Sequence, residues 1–417
     1  MPATCQELDM LSFPPHPSGA SVSCRANDYE DAIVGNRWLI LAVLFLARTT
    51  MGFQFQSVAT LSPFLVTELA IDYTQLGLLI GFYLLPGVII AYPGGLLGQR
   101  FGDKHVAILG MMLMVIGGVL TGASHNYAAF LVGRLISGIG AVLVNVLLTK
   151  MATDWFVGRE VGTALALLVS SWPIGIGIAL IVLPGLEAVS SVGIAFVATA
   201  VVAGLVLVMV AAIYRVPAAA ASTTRAGGLG FGLSAREFGL VSLAGIVWAL
   251  FNVGYIIVVS FTPSLLIARG ISAGEAGIAT SLASWTLVPT IALGGMLLDR
   301  IGHATALMVT SFAVLGLSIM VMPTVSSFAL IAFIGAVAGL PAGAMVALPA
   351  ELLRPESRGA GMGIFFTWYY VGMALLTPVA GLARDLTSDP GAPLIFAGGL
   401  EIAAIAIVGL LRLFQHR

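Results

Sequence analysis

Long apolar segments are the feature of this chain that most restricts its fold. Twelve segments approach or exceed the roughly 20 residues that an α-helix needs to cross a hydrocarbon layer about 30 Å thick. Hydrophobic residues make up 59% of the 417 residues and charged residues only 9%, whereas a soluble chain keeps about a quarter of its residues charged. We therefore predict an all-α membrane protein with twelve transmembrane helices. The predicted spans are 38–67, 74–97, 104–123, 127–151, 158–183, 190–214, 238–267, 275–298, 304–322, 326–350, 358–382 and 391–413.

A polar segment between the sixth and seventh spans divides the chain into two sets of six. The predicted domains are a disordered cytoplasmic tail at 1–36, an N-terminal six-helix bundle at 37–214, a cytoplasmic linker at 215–237 and a C-terminal six-helix bundle at 238–417. Placing both termini inside puts 14 of the 18 Lys and Arg residues on the cytoplasmic side, where short basic loops remain. We expect a bacterial inner (plasma) membrane protein with cytoplasmic N- and C-termini.

Two short stretches repeat at the same place in the two sets. Residues 95–104 read "GLLGQRFGDK" and residues 295–304 read "GMLLDRIGHA". A shift of 200 residues matches Gly95, Arg100 and Gly102 to Gly295, Arg300 and Gly302. A shift of 199 aligns "GREVGTA" around Arg159 with "SRGAGMG" around Arg358. Repeated halves of this kind predict a pseudo-two-fold axis along the membrane normal and a central pathway between the halves.

At these loops the chain resembles the major facilitator superfamily, whose signature after the second helix is G-x-L-x-D-R-x-G-R-K. The second copy keeps Asp299 and Arg300, while the first has Gln99 at the acidic position. The resemblance implies a twelve-helix transporter with alternating access, in which this loop locks cytoplasmic helix ends together. Gln99 then predicts a weaker lock in the N-terminal half, unless Asp103 substitutes. The candidate gating residues are Gly95, Gln99, Arg100, Gly102, Arg159, Asp299, Arg300 and Arg358.

A finer resemblance concerns the first and fourth spans. The segments "ARTTMGFQFQSVATLSPFL" and "TKMATDWFVGREVGTA" are similar to the cyanate-transporter-type branch of the superfamily and, more distantly, to nitrate/nitrite carriers. This resemblance implies a small anionic substrate.

Two arginines are predicted inside spans. Arg48 follows Arg37 by 11 residues, about 16 Å along a helix, which is near the bilayer centre. An Arg there costs at least about 2.5 kcal/mol, so it should face protein or a watery cavity. It is either a structural charge satisfied by carbonyls or an acid, or the ligand of an anion. Arg134 lies in "GRLISGIG" of the fourth span, which resembles the superfamily's R-x-x-x-G-x-G pattern. It is either a second anion ligand or, as the resemblance implies, a residue of packing and conformational coupling.

Amides and aromatic residues share predicted helix faces with these arginines. Guanidinium groups bind anions through paired donors, and aromatic rings limit the size of a ligand. Ordinary packing between helices remains the alternative for each aromatic residue. The candidate substrate-binding residues are Arg48, Gln56, Arg134, Asn145, Trp248, Asn252, Tyr255, Trp285, Tyr369 and Tyr370.

Glu401 is the one acid well inside a predicted span. It is a candidate proton carrier, and the alternative is a structural role, because twelfth helices of the superfamily pack outside the pathway.

Together these features favour a secondary active transporter for a small anion, either cyanate- or nitrate-like or a small carboxylate. A proton-coupled multidrug or metabolite exporter is the alternative, and a sensor built on a transporter fold is a third hypothesis. We expect no enzymatic activity, no cofactor, no metal site and no nucleic-acid partner. The expected partners are the small anion and the lipid bilayer, with the protein functioning as a monomer.

Overall fold

Helices form nearly all of the structure, a computed structural model that describes residues 22–156, 160–217, 233–325, 327–354 and 357–415. Residue contacts divide the chain into Met1–Leu39 and Ile40–Arg417, and the packing described below is that of the second unit. The helices are α1 (Val22–Thr60), α2 (Ser62–Glu68), α3 (Tyr73–Gly81), α4 (Gly87–Phe101), α5 (Asp103–Gly122), α6 (Tyr127–Phe156), α7 (Val161–Val189), α8 (Val192–Ile213), α9 (Ala235–Ala268), α10 (Ala273–Ile301), α11 (Ala304–Val325), α12 (Phe328–Gly339), α13 (Ala342–Leu352), α14 (Arg358–Thr387) and α15 (Ala392–Gln415).

The number of spans agrees with the sequence. In the described residues, 11 helical spans are long and apolar enough to cross a membrane, and α2 with α3, which meet at a bend of 119°, raise the number to 12. The second and tenth predicted spans are each interrupted, between α3 and α4 and between α12 and α13. Pro86 and Pro341 stand directly before the second helix of each pair, where the missing N–H of proline removes a helical hydrogen bond. The prediction of an all-α membrane fold is confirmed.

The chain before the first span differs from the prediction. The first helix begins at Val22, so residues 22–36 are helical instead of part of a disordered tail. No proline or glycine occurs between Val22 and Val34, and nothing in this stretch therefore breaks a helix. Residues 1–21 of the predicted tail, and residues 218–232 of the predicted linker, lie outside the described residues.

Local signals repeat in the two halves at a shift of 200 residues. Asp72 and Gln75 form a capping box at the start of α3, and Ser272 and Glu275 form the equivalent box at the start of α10. The turns after α4 and α10 each place glycine in a conformation with positive φ, +88° at Gly102 and +67° at Gly302. Only glycine adopts such angles at no steric cost. The repeated glycines of the sequence are therefore required by the backbone of the turns.

The two halves meet through α3 with α14 and through α7 with α10. We call the end of the bundle where α8 ends and α9 begins the linker end, and the opposite end the far end. Near the far end, a Cβ atom at Gly77 would lie 2.7 Å from the carbonyl oxygen of Thr377. A Cβ at Gly277 would clash with the carbonyl oxygen of Leu180. Glycine thus permits backbone-to-backbone contact between the halves at equivalent positions.

Candidate functional site

Polar and aromatic side chains from both halves come together at mid-span. Asn145 donates a hydrogen bond from Nδ2 to the Tyr370 hydroxyl at 3.3 Å. Arg48 lies within electrostatic reach of the Tyr369 and Tyr370 hydroxyls. The ring centroids of Trp248 and Tyr369 are 6.5 Å apart, and Asn252 donates to the Trp248 carbonyl at 2.8 Å. We call Arg48, Asn145, Trp248, Asn252, Tyr369 and Tyr370 the central cluster.

The guanidinium of Arg48 has no partner among the described residues. Its side chain is half-buried, and its Nε is buried without a hydrogen-bond acceptor. The ion pairs found in the described residues do not include it. A buried donor without an acceptor costs about 1–3 kcal/mol. The surroundings of Arg48 therefore favour its interpretation as an anion ligand over that of a satisfied structural charge.

Arg134 has the opposite surroundings, and the prediction that it binds substrate needs correction. Its Nε donates to the Leu79 carbonyl at 3.1 Å, and its two terminal nitrogens donate to the carbonyls of Gln54 at 3.0 Å and Phe55 at 3.1 Å. The guanidinium carbon lies 4.4 Å from the centroid of the Tyr83 ring, and the residue is only 1% exposed. Leu79 belongs to the last turn of α3, where carbonyls lack intrahelical partners. Arg134 therefore joins α1, α3 and α6 and has no surface to offer a substrate.

Three further predicted ligands lie outside the central cluster. Gln56 is buried and donates across the halves to the Val259 carbonyl at 3.0 Å. Tyr255 shares a 2.9 Å hydrogen bond with Ser284, which links α9 to α10. Trp285 is 39% exposed, and its ring lies beside Gly177 of α7. These residues hold helices at the interface of the halves, and the alternative of ordinary packing describes them better than substrate contact.

Glu401 lies on the other side of α9 from the central cluster. It is fully buried against Gly254, and neither carboxylate oxygen has a hydrogen-bond partner in the described residues. Since α15 packs along α9 and α11, the position favours the structural interpretation weighed from the sequence.

Four of the candidate gating residues are exposed at the linker end in this conformation. Gln99, Arg100, Asp299 and Arg300 have exposed side chains and form no hydrogen bond or ion pair with other described residues. Gly95 is half-buried and Gly295 has open space around it. Arg159 and the side chain of Arg358 lie outside the described residues.

Ion pairs at the linker end join helices of the same half. Asp103 pairs with Lys150 of α6, a charge contact between the linker ends of two neighbouring helices of the N-terminal half. In the C-terminal half, Arg354 pairs with Glu237 at 2.9 Å. A second pair there joins Arg412 to Glu351 at 2.6 Å. Across the described residues, none of these pairs connects the two halves at this end.

At the far end a carboxylate that the sequence analysis did not single out connects the halves. Asp385 of α14 accepts hydrogen bonds from the backbone N–H groups of Tyr73 at 3.0 Å and Thr74 at 2.7 Å, and from the Thr74 hydroxyl at 2.6 Å. These groups form the start of α3, where free N–H groups and the helix dipole favour an anion. The sequence does show an acid at the end of an apolar span. Its partner Thr74 is 311 residues away along the chain, so the sequence could not indicate the contact between them. We call this contact the Asp385 clasp.

A cavity of about 350 Å³ occurs elsewhere, at the far end of the N-terminal half. It is lined by residues of α2, α5, α6 and α8 and by the turns beside them, and it contains none of the predicted site residues. The candidate site is therefore not identified by the volume of this cavity. It is defined by the side chains of the central cluster, which come from both halves.

Two repeated helical halves around a central polar cluster are an architecture typical of membrane transporters. The family model for the Major Facilitator Superfamily matches residues 44–272 and 243–416, and the chain belongs to this superfamily. Its members are transporters and not enzymes. The resemblance seen in the repeated loops is confirmed, and the protein is an integral membrane protein.

Relatives of known name match only part of the chain. A "Probable nitrate transporter NarT" of Staphylococcus aureus (strain JH9) is 32% identical over 104 residues, which is 25% of this chain and 26% of that protein. A "Hexuronate transporter" of Bacillus subtilis (strain 168) is 22% identical over 136 residues, 33% of this chain and 32% of that protein. The chain thus spans about a quarter to a third of the length of these relatives.

Solved structures share the fold over most of the chain. The nucleoside transporter NupG has a TM-score of 0.70 at 15% identity, covering 90% of this chain and 98% of that one. A bacterial homologue of the human lysosomal transporter Spinster has a TM-score of 0.66 at 16% identity, covering 91% of this chain and 96% of that one. At such identities the likeness concerns the fold alone.

Proposed function

We propose that this superfamily member is a secondary active transporter that moves a small anion through the central cluster by alternating access. The observation that carries the proposal is the guanidinium of Arg48, which lies in the interior of a span without an acidic partner among the described residues. A charge in that position is costly unless it meets an opposite charge. Arg also offers paired donors that match a planar or carboxylate anion.

The similarity to named relatives supports the same substrate class. Nitrate and hexuronate are both anions, and both names belong to proteins that match part of this chain. The alternative of a multidrug exporter has less support, because such a protein would use an intramembrane acid for cationic drugs. The one acid deep in a described span, Glu401, lies away from the central cluster.

The orientation and cell location are part of the proposal. Because most Lys and Arg residues fall on the side of the linker, the linker end faces the cytoplasm of a bacterial inner membrane. The halves touch at the far end, and the linker-end ion pairs each stay within one half. The conformation is then inward-facing, and the protein acts as a monomer.

The first prediction tests the role of Arg48. Purified protein in liposomes takes up radiolabelled nitrate, nitrite, cyanate, formate or acetate, with and without a pH gradient. We expect Arg48→Gln to abolish uptake, and Arg48→Lys to weaken binding by about 1–3 kcal/mol, since Lys keeps the charge but not the forked donors.

The control is Arg412→Lys, which lies near the linker end, away from the central cluster, in an ion pair with Glu351. It should transport as the wild type does. Normal affinity and uptake in a folded Arg48→Gln protein would remove the central anion site.

A further inference from the structure

Positions 48 and 248 are equivalent in the repeat, yet they carry different side chains. Arg48 lies on α1 and Trp248 on α9, separated by the same 200 residues that relate the two halves. Each side chain has one buried nitrogen without a hydrogen-bond acceptor, Nε of Arg48 and Nε1 of Trp248. Most buried polar groups in proteins are paired, so two orphan donors at equivalent positions require an explanation.

The side chains of Arg48 and Trp248 both lie near Tyr369 of the central cluster. Trp248 packs against Tyr369 with ring centroids 6.5 Å apart, and Arg48 is within electrostatic reach of Tyr369. The neighbouring amides already have partners, because Asn145 donates to Tyr370 and Asn252 donates to the Trp248 carbonyl. The donors of Arg48 and Trp248 are therefore available to an acceptor that comes from outside the chain.

The charge of the central cluster limits which acceptor fits. Arg134 is fully engaged with backbone carbonyls, and Glu401 is buried on the other side of α9. Among the described residues, Arg48 is thus the one charged member of the cluster. A single positive charge balances a single negative charge, and a second negative charge would be buried without compensation, at a cost of several kcal/mol.

We propose that Arg48 and Trp248 together bind a monovalent anion with at least two acceptor atoms, and that the site rejects dianions. Arg48 supplies the charge from the N-terminal half, and Trp248 supplies a neutral N–H from the C-terminal half. The anion therefore contacts both halves at equivalent points of the repeat. This inference rests on the proposed function and names the charge of its substrate.

The first test is a comparison of anions by charge in proteoliposomes at pH 7.5. The monovalent probes are nitrate, nitrite, cyanate, formate and acetate, and the divalent probes are sulfate, oxalate and malonate. We expect wild-type uptake of at least one monovalent probe to exceed that of every dianion at least tenfold. Equal uptake of dianions would overturn the inference and leave the proposed function intact. Binding or uptake of neither class would overturn the proposed function as well.

The second test changes the indole. Trp248→Phe keeps an aromatic ring but removes the N–H, and we expect the apparent Kd for the transported monovalent anion to rise about tenfold, the effect of losing one hydrogen bond to a charged acceptor. The matched control is Trp155→Phe, since the Trp155 N–H donates at 2.9 Å to the Arg215 carbonyl near the linker end, outside the cluster. An unchanged Kd in folded Trp248→Phe protein would contradict the inference.

The third test adds a charge. Trp248→Arg places a second guanidinium at the position equivalent to Arg48, and we expect it to admit at least one of the three dianions and to lower the preference for monovalent anions at least tenfold. A monodisperse, thermally stable Trp248→Arg protein that still rejects dianions would rule out charge balance as the basis of selection. If this variant does not fold, the anion comparison and Trp248→Phe still decide the inference.

Discussion

Arg48 and Arg134 both lie inside spans of the N-terminal half, but their surroundings are opposite. Arg134 donates hydrogen bonds to three carbonyls, whereas Arg48 donates to none. Both depths were predictable from the sequence, because each arginine interrupts an apolar span. The difference in surroundings was not predictable, since it depends on which carbonyls of α1 and α3 pack against Arg134, and the end of α3 was not predicted.

Arg134→Lys should destabilise the protein. Lysine carries its charge on one nitrogen and cannot reach carbonyls of two helices at once, so about two charge-assisted hydrogen bonds are lost, worth about 3 kcal/mol together. The measurement is the apparent Tm and the yield of monodisperse protein in detergent.

Arg48→Lys is the matched control for this prediction. It makes the same substitution at an arginine without a carbonyl partner, so its Tm should equal that of the wild type. If both variants lose the same stability, the contrast between the two arginines is wrong.

At the scale of helices, repeated sequence does not always give repeated structure. "SPFL" at 62–65 and "TPSL" at 262–265 are equivalent in the repeat. The first follows a break between α1 and α2, while the second continues α9 to Ala268. The sequence predicts the spans from their apolar length, but one proline motif is compatible with either a break or a continuous helix. Tertiary packing decides between them, and so the breaks were not predictable.

The glycine contact between α7 and α10 gives a prediction for closure. In Gly277→Ala the new Cβ would clash with the Leu180 carbonyl, at a cost of about 1–3 kcal/mol. The far end should then open, by about 5- to 150-fold in the ratio of the two states. The measurement is the distance between spin labels at His125 and Leu386, in a background that lacks Cys5 and Cys24.

Gly274→Ala is the control for the glycine contact. It lies on the same helix three residues earlier, and a Cβ there meets nothing within 4 Å, so its distance distribution should match that of the wild type. A wild-type distribution in Gly277→Ala would show that closure does not depend on this contact.

The Asp385 clasp gives an independent prediction for the other interface. Asp385→Asn removes the negative charge from the start of α3 and one acceptor for its N–H groups, a loss of about 1.5–3 kcal/mol. The same label pair should report a larger population with the far end open. Asp389→Asn is the control, because Asp389 accepts a hydrogen bond at 2.8 Å from Gly391 of its own turn. Equal opening in both variants would indicate a general effect of charge and not a clasp.

At the scale of the whole molecule, the candidate gating residues form no contact between the halves in the conformation described, and their role stays a prediction about a closed linker end. Gln99 and Asp299 occupy equivalent places and are both exposed at the linker end, so we expect their contacts to form only when the helix ends there come together. The sequence predicted two equivalent locks, one weakened by an amide. In the conformation described, the ion pairs at the linker end stay within each half, and the two locks stay a prediction.

Gln99→Asp should favour closure of the linker end, since a carboxylate attracts the basic helix ends that an amide does not. Asp299→Asn should shift the balance toward the open linker end. Spin labels at His105 and His303, which are exposed at that end, report both shifts as changes in distance. A shift in the same direction for both variants would contradict the gate interpretation.

The hydrogen bonds of Arg134 also bear on the motion that binding at the proposed anion site would cause. Arg48 lies six residues before Gln54 on α1, about 9 Å along the helix. Because Arg134 fastens α1 to α3 and α6, we expect these three helices to move together in the proposed transport cycle. The 30 residues of α6 measure about 45 Å. We expect α6 to tilt as one rigid body in that motion, and a tilt of about 10° around mid-span displaces each end of a helix of that length by about 4 Å.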